Sequence, residues 1–149
     1  MKTENQVYDY LVIGSGLAGL SAAIELSQHG QVLVATKVAT IESNSFYAQG
    51  GIACVMDPDD SPDDHIKDTL NSGCGLSKEE ITQEIISHGQ DRIKALEKLG
   101  LKFDLRKGKE TEYDLGKEGG HSHRRILHCG DITGQAVMHT LQASIQKKP

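Results

Sequence analysis

Three short stretches of this chain concentrate residues of the kind that bind or transform a ligand. The first, Tyr10-Leu-Val-Ile-Gly-Ser-Gly-Leu-Ala-Gly-Leu20, holds Gly14-x-Gly16-x-x-Gly19 between an apolar run and a run of small aliphatic residues. In a dinucleotide site Gly14 permits the tight turn, Gly16 lets a pyrophosphate approach the backbone, and Gly19 lets helix and strand pack closely. The N-terminus of the following helix offers unpaired N–H groups to the phosphate charge. A glycine pattern alone is weak evidence, but here a strand precedes it and a helix follows, which is the context it requires. A plain strand-turn-helix without ligand is the bland alternative. One part of the fingerprint is missing. NAD sites place an acid about 20 residues past the glycines to hold the ribose hydroxyls, whereas here the second apolar run closes on Ala35-Thr-Lys37 and the next acid is Glu42. That weakens a nicotinamide nucleotide and leaves FAD open.

The second stretch is Asn44-Ser-Phe-Tyr-Ala-Gln-Gly-Gly-Ile-Ala53. Two adjacent glycines beside an amide and several hydroxyls can bring backbone against a flat ring and donate hydrogen bonds to it. Read alone, it is equally a strand and a turn. The third is Lys117-Glu-Gly-Gly-His-Ser-His-Arg-Arg-Ile-Leu-His128, with one carboxylate, three imidazoles and two guanidinium groups around a glycine pair. His121 and His123 would share one face of a strand, but no Cys or further carboxylate completes a zinc set at usual spacing. No metal is therefore expected. A solvated loop and an anion pocket in which Arg124 or Arg125 meets a carboxylate both fit these residue types.

The elements that must position these stretches follow from periodicity and turn chemistry. Tyr10–Ile13 reads as a buried strand, Leu17 to Leu26 as a helix ended by Gly30, and Val32–Ala35 as a second, parallel strand. Ile52 to Met56 is a short apolar run, and Asp57 to Pro62 a turn. Ser61, Pro62 and Asp64 form a capping box for a helix that Gly73 or Gly75 ends. Ser77-Lys-Glu-Glu80 reads as a second box, opening a longer helical stretch that carries Ile81, Ile85, Ile86, Ile93, Leu96 and Leu99, with a break near Gly89 and a stop at Gly100. Residues 101–117 suit a charged surface excursion with short strands. A last helix starts at Asp131 or Thr133, with Ala136, Val137, Leu141 and Ile145 on its apolar face.

The bulk numbers bound the class. With 149 residues, 37% hydrophobic and 25% charged, the chain has the size and composition of one soluble domain. No apolar run approaches the ~20 residues of a membrane helix, and residues 1–8 lack the apolar core of a signal peptide. A net charge of -5 with 4% aromatic residues and no Trp argues against a nucleic-acid surface. Three widely spaced cysteines, Cys54, Cys74 and Cys129, suit reduced thiols in a cytoplasmic protein. The fold class is α/β. A doubly wound sheet needs more parallel strands than the two visible, and the last helix runs into Lys147-Lys-Pro149. An incomplete domain is the expectation.

Gly14-Ser-Gly-Leu-Ala-Gly19, Asn44-Ser-Phe-Tyr-Ala-Gln-Gly-Gly51, Glu118-Gly-Gly-His-Ser-His-Arg-Arg-Ile-Leu-His128 and Asp131-x-Thr-Gly134, in this order and spacing, resemble the N-terminal part of the L-aspartate oxidases. More distantly, the chain is similar to the flavoprotein subunits of fumarate reductase and succinate dehydrogenase. The resemblance covers nearly the whole chain. It implies that residues 1–149 are the N-terminal portion of a Rossmann-like FAD-binding domain, with the capping domain, the C-terminal helical domain and the catalytic arginine outside it. It implies FAD contacts from Gly14, Ser15, Gly16, Leu17, Ala18 and Gly19, from Lys37, and from Asn44, Ser45, Phe46, Tyr47, Ala48, Gln49, Gly50 and Gly51. Glu118 is implied to lie at the substrate and orient L-aspartate. Asn44 falls where the dehydrogenase and reductase relatives carry a flavin-linking histidine, so the FAD is expected to be non-covalent. The implied activity is oxidation of L-aspartate to iminoaspartate in NAD biosynthesis, with oxygen or fumarate as electron acceptor and quinolinate synthase as a partner, and with this chain an inactive fragment on its own. A fumarate reductase-like or succinate dehydrogenase-like flavoprotein and a non-catalytic nucleotide-binding remnant are the alternatives.

Overall fold

The computed structural model describes residues 6–37 and 43–146, and Glu42 and residues 147–149 lie outside them. The chain divides into two compact units, residues 1–48 with 134–149, and residues 49–133. The first holds β1 (Tyr10–Ile13), α1 (Leu17–Leu26), β2 (Val32–Ala35) and α5 (Thr133–Gln146, from Gly134 on); the second holds β3 (Ile52–Ala53), α2 (Pro62–Ser72), α3 (Glu79–Ser87), α4 (Gly89–Lys98) and β4 (Ile126–Leu127). Among the described residues no helix is long and apolar enough to cross a membrane.

In the first unit β1 and β2 pair in parallel, Tyr10 against Val32 through Ile13 against Ala35, with α1 as the crossover. This is the expected βαβ unit. Its buried apolar residues are Leu20, Ala23 and Ile24 of α1 and Val137, Met138 and Leu141 of α5. Two readings need correction. The strands are not buried throughout: burial alternates along both, leaving Leu11, Ile13 and Leu33 exposed. Gly30 also does not end α1, which closes at Ser27, whose N–H bonds back to the carbonyls of Ala23 and Glu25. Gly30 instead sits where a Cβ would lie 2.9 Å from that of Asp9, and Asp9 Oδ2 accepts the Gln31 N–H at 2.8 Å. Its small size is needed for a close approach between chain segments.

In the second unit β3 and β4 pair antiparallel, Ile52 against Leu127 and Ala53 against Ile126. Cys54, Val55, Ile93, Leu101, Phe103, Leu115, Ile126 and Leu127 are buried. Helix α2 starts as expected: Ser61 Oγ accepts the Asp64 N–H at 3.1 Å and donates to Asp64 Oδ2 at 2.7 Å, with Pro62 at the first position. The second capping box does not form. Lys78 occupies the cap of α3 without a side-chain bond. A Cβ on Gly73 would lie 2.1 Å from Ser77 Oγ, so that hydroxyl is turned back against the end of α2. The helical stretch breaks between α3 and α4 at His88–Gly89, as the glycine suggested. Residues 101–117 contribute isolated bridges, Leu105 with Tyr113 and Gly116 with Ile126, rather than strands.

Candidate functional site

The glycine turn opens at the carboxyl end of the parallel pair, where ligands bind in open α/β sheets. Gly14 donates its N–H to the Ala35 carbonyl at 2.8 Å, and Ser15 Oγ donates to Thr36 Oγ1 at 2.9 Å. Both bonds lock the turn to the end of β2, and Lys37 follows them, exposed. Gly14 has φ +110°, a conformation that side chains resist. A Cβ on Gly19 would lie 2.0 Å from the Gly14 carbonyl oxygen, so α1 packs directly on the turn. Gly16 is different, because a Cβ there would meet nothing within 4 Å except Ser45 Oγ at 3.7 Å. Its hydrogen faces open space rather than protein. Gly16 caps α1 without a side-chain bond, and the first turn holds no acidic residue. The first-turn N–H groups stand at the positive end of the helix dipole with no acidic side chain in that turn, and the Leu17 N–H is given to Ser45 Oγ. The three glycines do three separate jobs, and the free one is where a pyrophosphate needs room.

The 43–48 segment belongs to the same unit. Phe46 and Tyr47 donate their N–H groups to the Ser43 carbonyl at 3.0 and 3.3 Å, closing a tight turn. Ser45 Oγ reaches the Leu17 N–H at 3.4 Å, joining the turn to the start of α1. The Phe46 ring meets Tyr47 and His139 edge-on, each at 5.5 Å between centroids. Gly134, at the start of α5, donates its N–H to the Ala48 carbonyl at 2.8 Å. A Cβ on it would lie 2.1 Å from the Ser45 oxygen and 2.6 Å from that of Ala48. Gly134 thus sets the seat of the turn, a role that the residue pattern did not reveal. Asn44, Tyr47 and Ala48 are exposed, and Ser45 and Phe46 are half-buried.

In the second unit Gln49, Gly50 and Gly51 lead into β3. Gly51 has φ +110°, and a Cβ would lie 2.5 Å from both Ile126 Cγ2 and the Leu127 oxygen. Glycine is required there by the close approach of β4. Glu118 is exposed, and its Oε1 would stand 3.8 Å from a Cβ on Gly50. Glu118 and Gly50 are therefore neighbours in space. The turn carrying Glu118 is closed by His121, whose N–H bonds to the Glu118 carbonyl at 3.2 Å and whose Nδ1 accepts the Glu118 N–H at 3.4 Å.

Arg125 is not the arginine of an open anion pocket. Arg125 is fully buried and gives Nε and an η nitrogen to Asp60 at 2.9 and 2.8 Å and its other η nitrogen to Asp68 at 2.9 Å. It meets the protein's own carboxylates. Arg124 donates to the Leu115 carbonyl at 3.2 Å. Burial alone would raise the Asp68 carboxyl, but hydrogen bonds from the Ser122 backbone and hydroxyl, with the Arg125 charge, bring it down to about 2. Among the described residues Asp60, Asp64 and His123 come close enough to share a cation. Both Asp60 oxygens are already held by Arg125, however, and His123 Nδ1 lies 3.4 Å from Asp60. A guanidinium occupies the place of the positive charge.

Residues 9–149 match the family described as FAD binding domain. The chain belongs to the FAD-binding domain family. FAD is its cofactor, and the acid-free first turn of α1 and the open side of Gly16 fit the pyrophosphate of that group. The chain is 44% identical over 144 residues to an L-aspartate oxidase of Vibrio cholerae, covering 95% of this chain and 27% of that protein. It is 43% identical over 142 residues to the chloroplastic L-aspartate oxidase 2-a of Nicotiana tabacum, covering 95% and 22%. The fold superposes on the quinol fumarate reductase flavoprotein of E. coli with a TM-score of 0.88 at 28% identity, covering 95% of this chain and 24% of that one. The chain thus spans about a quarter of the length of these relatives.

Proposed function

We propose that this FAD-binding domain serves an L-aspartate oxidase. What supports the reading is the identity of 40 to 44% with enzymes of that name from Pseudomonas aeruginosa and Vibrio cholerae, against 28% with the fumarate reductase. The chemistry that FAD would supply is acceptance of hydride from C2 of L-aspartate, giving iminoaspartate, with oxygen or fumarate as the final acceptor. The chain's own residues bind and orient. The Ala18 N–H and the α1 dipole hold the pyrophosphate beside Gly16, Lys37 lies at the same end of the sheet, and residues 44–51 line the ring. Asn44 carries an amide that forms no covalent flavin bond, so the cofactor is dissociable. Quinolinate synthase, as consumer of the unstable imine, and a cytoplasmic location suited to three free thiols belong to the same reading.

Glu118 is the substrate residue. A carboxylate beside a dianionic substrate is unfavourable unless it meets the ammonium group, and that group is what separates L-aspartate from succinate and fumarate. Glu118 recognises the ammonium and aligns the Cα–H bond with the ring, a positioning role. In a complete oxidase carrying this segment, Glu118→Gln lowers kcat/KM for L-aspartate by about tenfold or more, on the order of 1.4 kcal/mol. Fumarate reduction stays nearly intact, because fumarate has no ammonium. Equal loss of both activities, or of neither, refutes the role. The superposition on a fumarate reductase favours a second reading, in which the domain serves that reaction; L-aspartate oxidation absent and fumarate reduction present would select it.

A further inference from the structure

The Glu118 turn is held by a network that does more than neutralise a buried arginine. Arg125 stands at the start of β4 and is fully buried. Asp60, just before α2, takes two of its N–H groups, and that bidentate pair already balances the guanidinium charge. A second carboxylate in the same place is surplus and costs desolvation. Asp68 is that second carboxylate. Its Oδ2 accepts Arg125 at 2.9 Å, the Ser122 N–H at 2.6 Å and the Ser122 hydroxyl at 2.7 Å. Two of these three bonds go to the Glu118 turn rather than to the arginine.

The remaining ties run the same way. Arg125 also donates to Ser122 Oγ at 3.3 Å, and Lys117 Nζ donates to the Ser122 carbonyl at 2.9 Å. Gly116 is fixed to β4, donating to the Ile126 carbonyl at 2.8 Å and accepting the Arg125 and Ile126 N–H groups at 3.0 and 3.1 Å. A Cβ on Gly120, at φ +88°, would lie 2.5 Å from Ser72 Oγ, so the turn rests on the end of α2. Segment 117–124 is thus anchored at Gly116 and Ser122, with Glu118 exposed between the two anchors.

We propose that Asp68 is the positioning residue of the substrate site: through Ser122 and Arg125 it fixes, from α2, the turn that carries Glu118. The inference rests on the ammonium reading of Glu118, and the test separates the two. In the 149-residue chain, Asp68→Ala raises hydrogen exchange at the Ser122 and His121 amides about tenfold or more and leaves α3 and α4 amides within about twofold. Ser122→Ala, which keeps the backbone donor and loses the hydroxyl, raises the same two amides by a smaller factor and decides the matter if Asp68→Ala loosens the whole unit. In a complete oxidase carrying this segment, Asp68→Ala reproduces the Glu118→Gln pattern, a loss of kcat/KM for L-aspartate with fumarate reduction retained. The double variant is then no worse than the more impaired single variant, as expected for two residues acting through one contact. Multiplying losses in the double variant, or unchanged exchange at 121–122 in Ser122→Ala, overturns the proposal. If Glu118→Gln is silent while Asp68→Ala still frees the turn, the ammonium role fails and the positioning role stands.

Discussion

At the scale of single residues, the glycines separate what a sequence discloses from what it hides. Gly14, Gly16 and Gly19 were legible because each acts on its immediate neighbours, the strand before and the helix after. Gly134 was not. It is conspicuous only once α5 is seen against a turn some ninety residues earlier in the chain. The neighbours of its missing Cβ are the backbone oxygens of Ser45 and Ala48, which cannot swing aside as a flexible side chain would. Gly134→Ala must displace either the turn or the helix. A cost of about 1–3 kcal/mol follows for such overpacking, read from the urea midpoint, and flavin affinity falls with it because the displaced turn holds Ser45 against the start of α1. Wild-type flavin affinity in Gly134→Ala would separate the turn from the cofactor. Arg125 teaches the converse. Its residue type suggested an anion ligand, but burial and two carboxylates 65 and 57 residues away in sequence make it a strut, and no local pattern encodes such a pairing.

At the scale of elements, two capping boxes of similar residue type had opposite outcomes. Ser61 caps α2 because Pro62 and the extended backbone before it aim the hydroxyl at the Asp64 N–H. Ser77 lies one residue too early for α3, beside Gly73, and leaves Lys78 at a cap position of φ -84° and ψ 121° that suits Asp or Ser. Lys78→Asp therefore stabilises by about 0.5–1 kcal/mol, from a side-chain acceptor for the first-turn N–H groups and a charge suited to the helix dipole. A lower urea midpoint in Lys78→Asp would mean that the lysine has another role. The α2–β4 tie has a pH signature. Asp68 falls from its ordinary 3.8 to about 2 in the folded chain, so the folded state binds this proton less readily than the unfolded state. Its contribution is fully present above about pH 4 and is lost as pH falls through 2. Between pH 5 and 2 the wild-type urea midpoint drops more steeply than that of Asp68→Ala, and the two curves converge at the acid end. Parallel curves would show that the carboxylate adds nothing to folding.

At the scale of the whole molecule, the sheet poses the largest question. Parallel strands in α/β proteins are covered on both faces and read as unbroken apolar runs. Tyr10–Ile13 and Val32–Ala35 have that composition, which is why they read as buried. In the structure they are covered on one face only. Leu11, 60% exposed, is paired with Leu33, and Ile13, 84% exposed, with Ala35. Two hydrogen-bonded strands with a bare apolar face are marginal in water, and such faces recruit a partner or aggregate. Among the described residues nothing covers that face, and the chain spans about a quarter of its relatives' length. The consequence is measurable in the chain itself. Leu11→Thr with Ile13→Thr places β-branched residues suited to strands at both positions and removes most of the apolar face. The variant should bind less hydrophobic-surface dye and sediment with less concentration-dependent self-association than the wild type. The far-ultraviolet spectrum should be retained, because neither side chain belongs to the buried set of α1 and α5. Unchanged dye binding and sedimentation would place the sticky surface elsewhere, with exposed Ile81 and Ile85 of α3 as the next pair to replace. Loss of the folded spectrum would instead mean that these two side chains support the sheet from its open side.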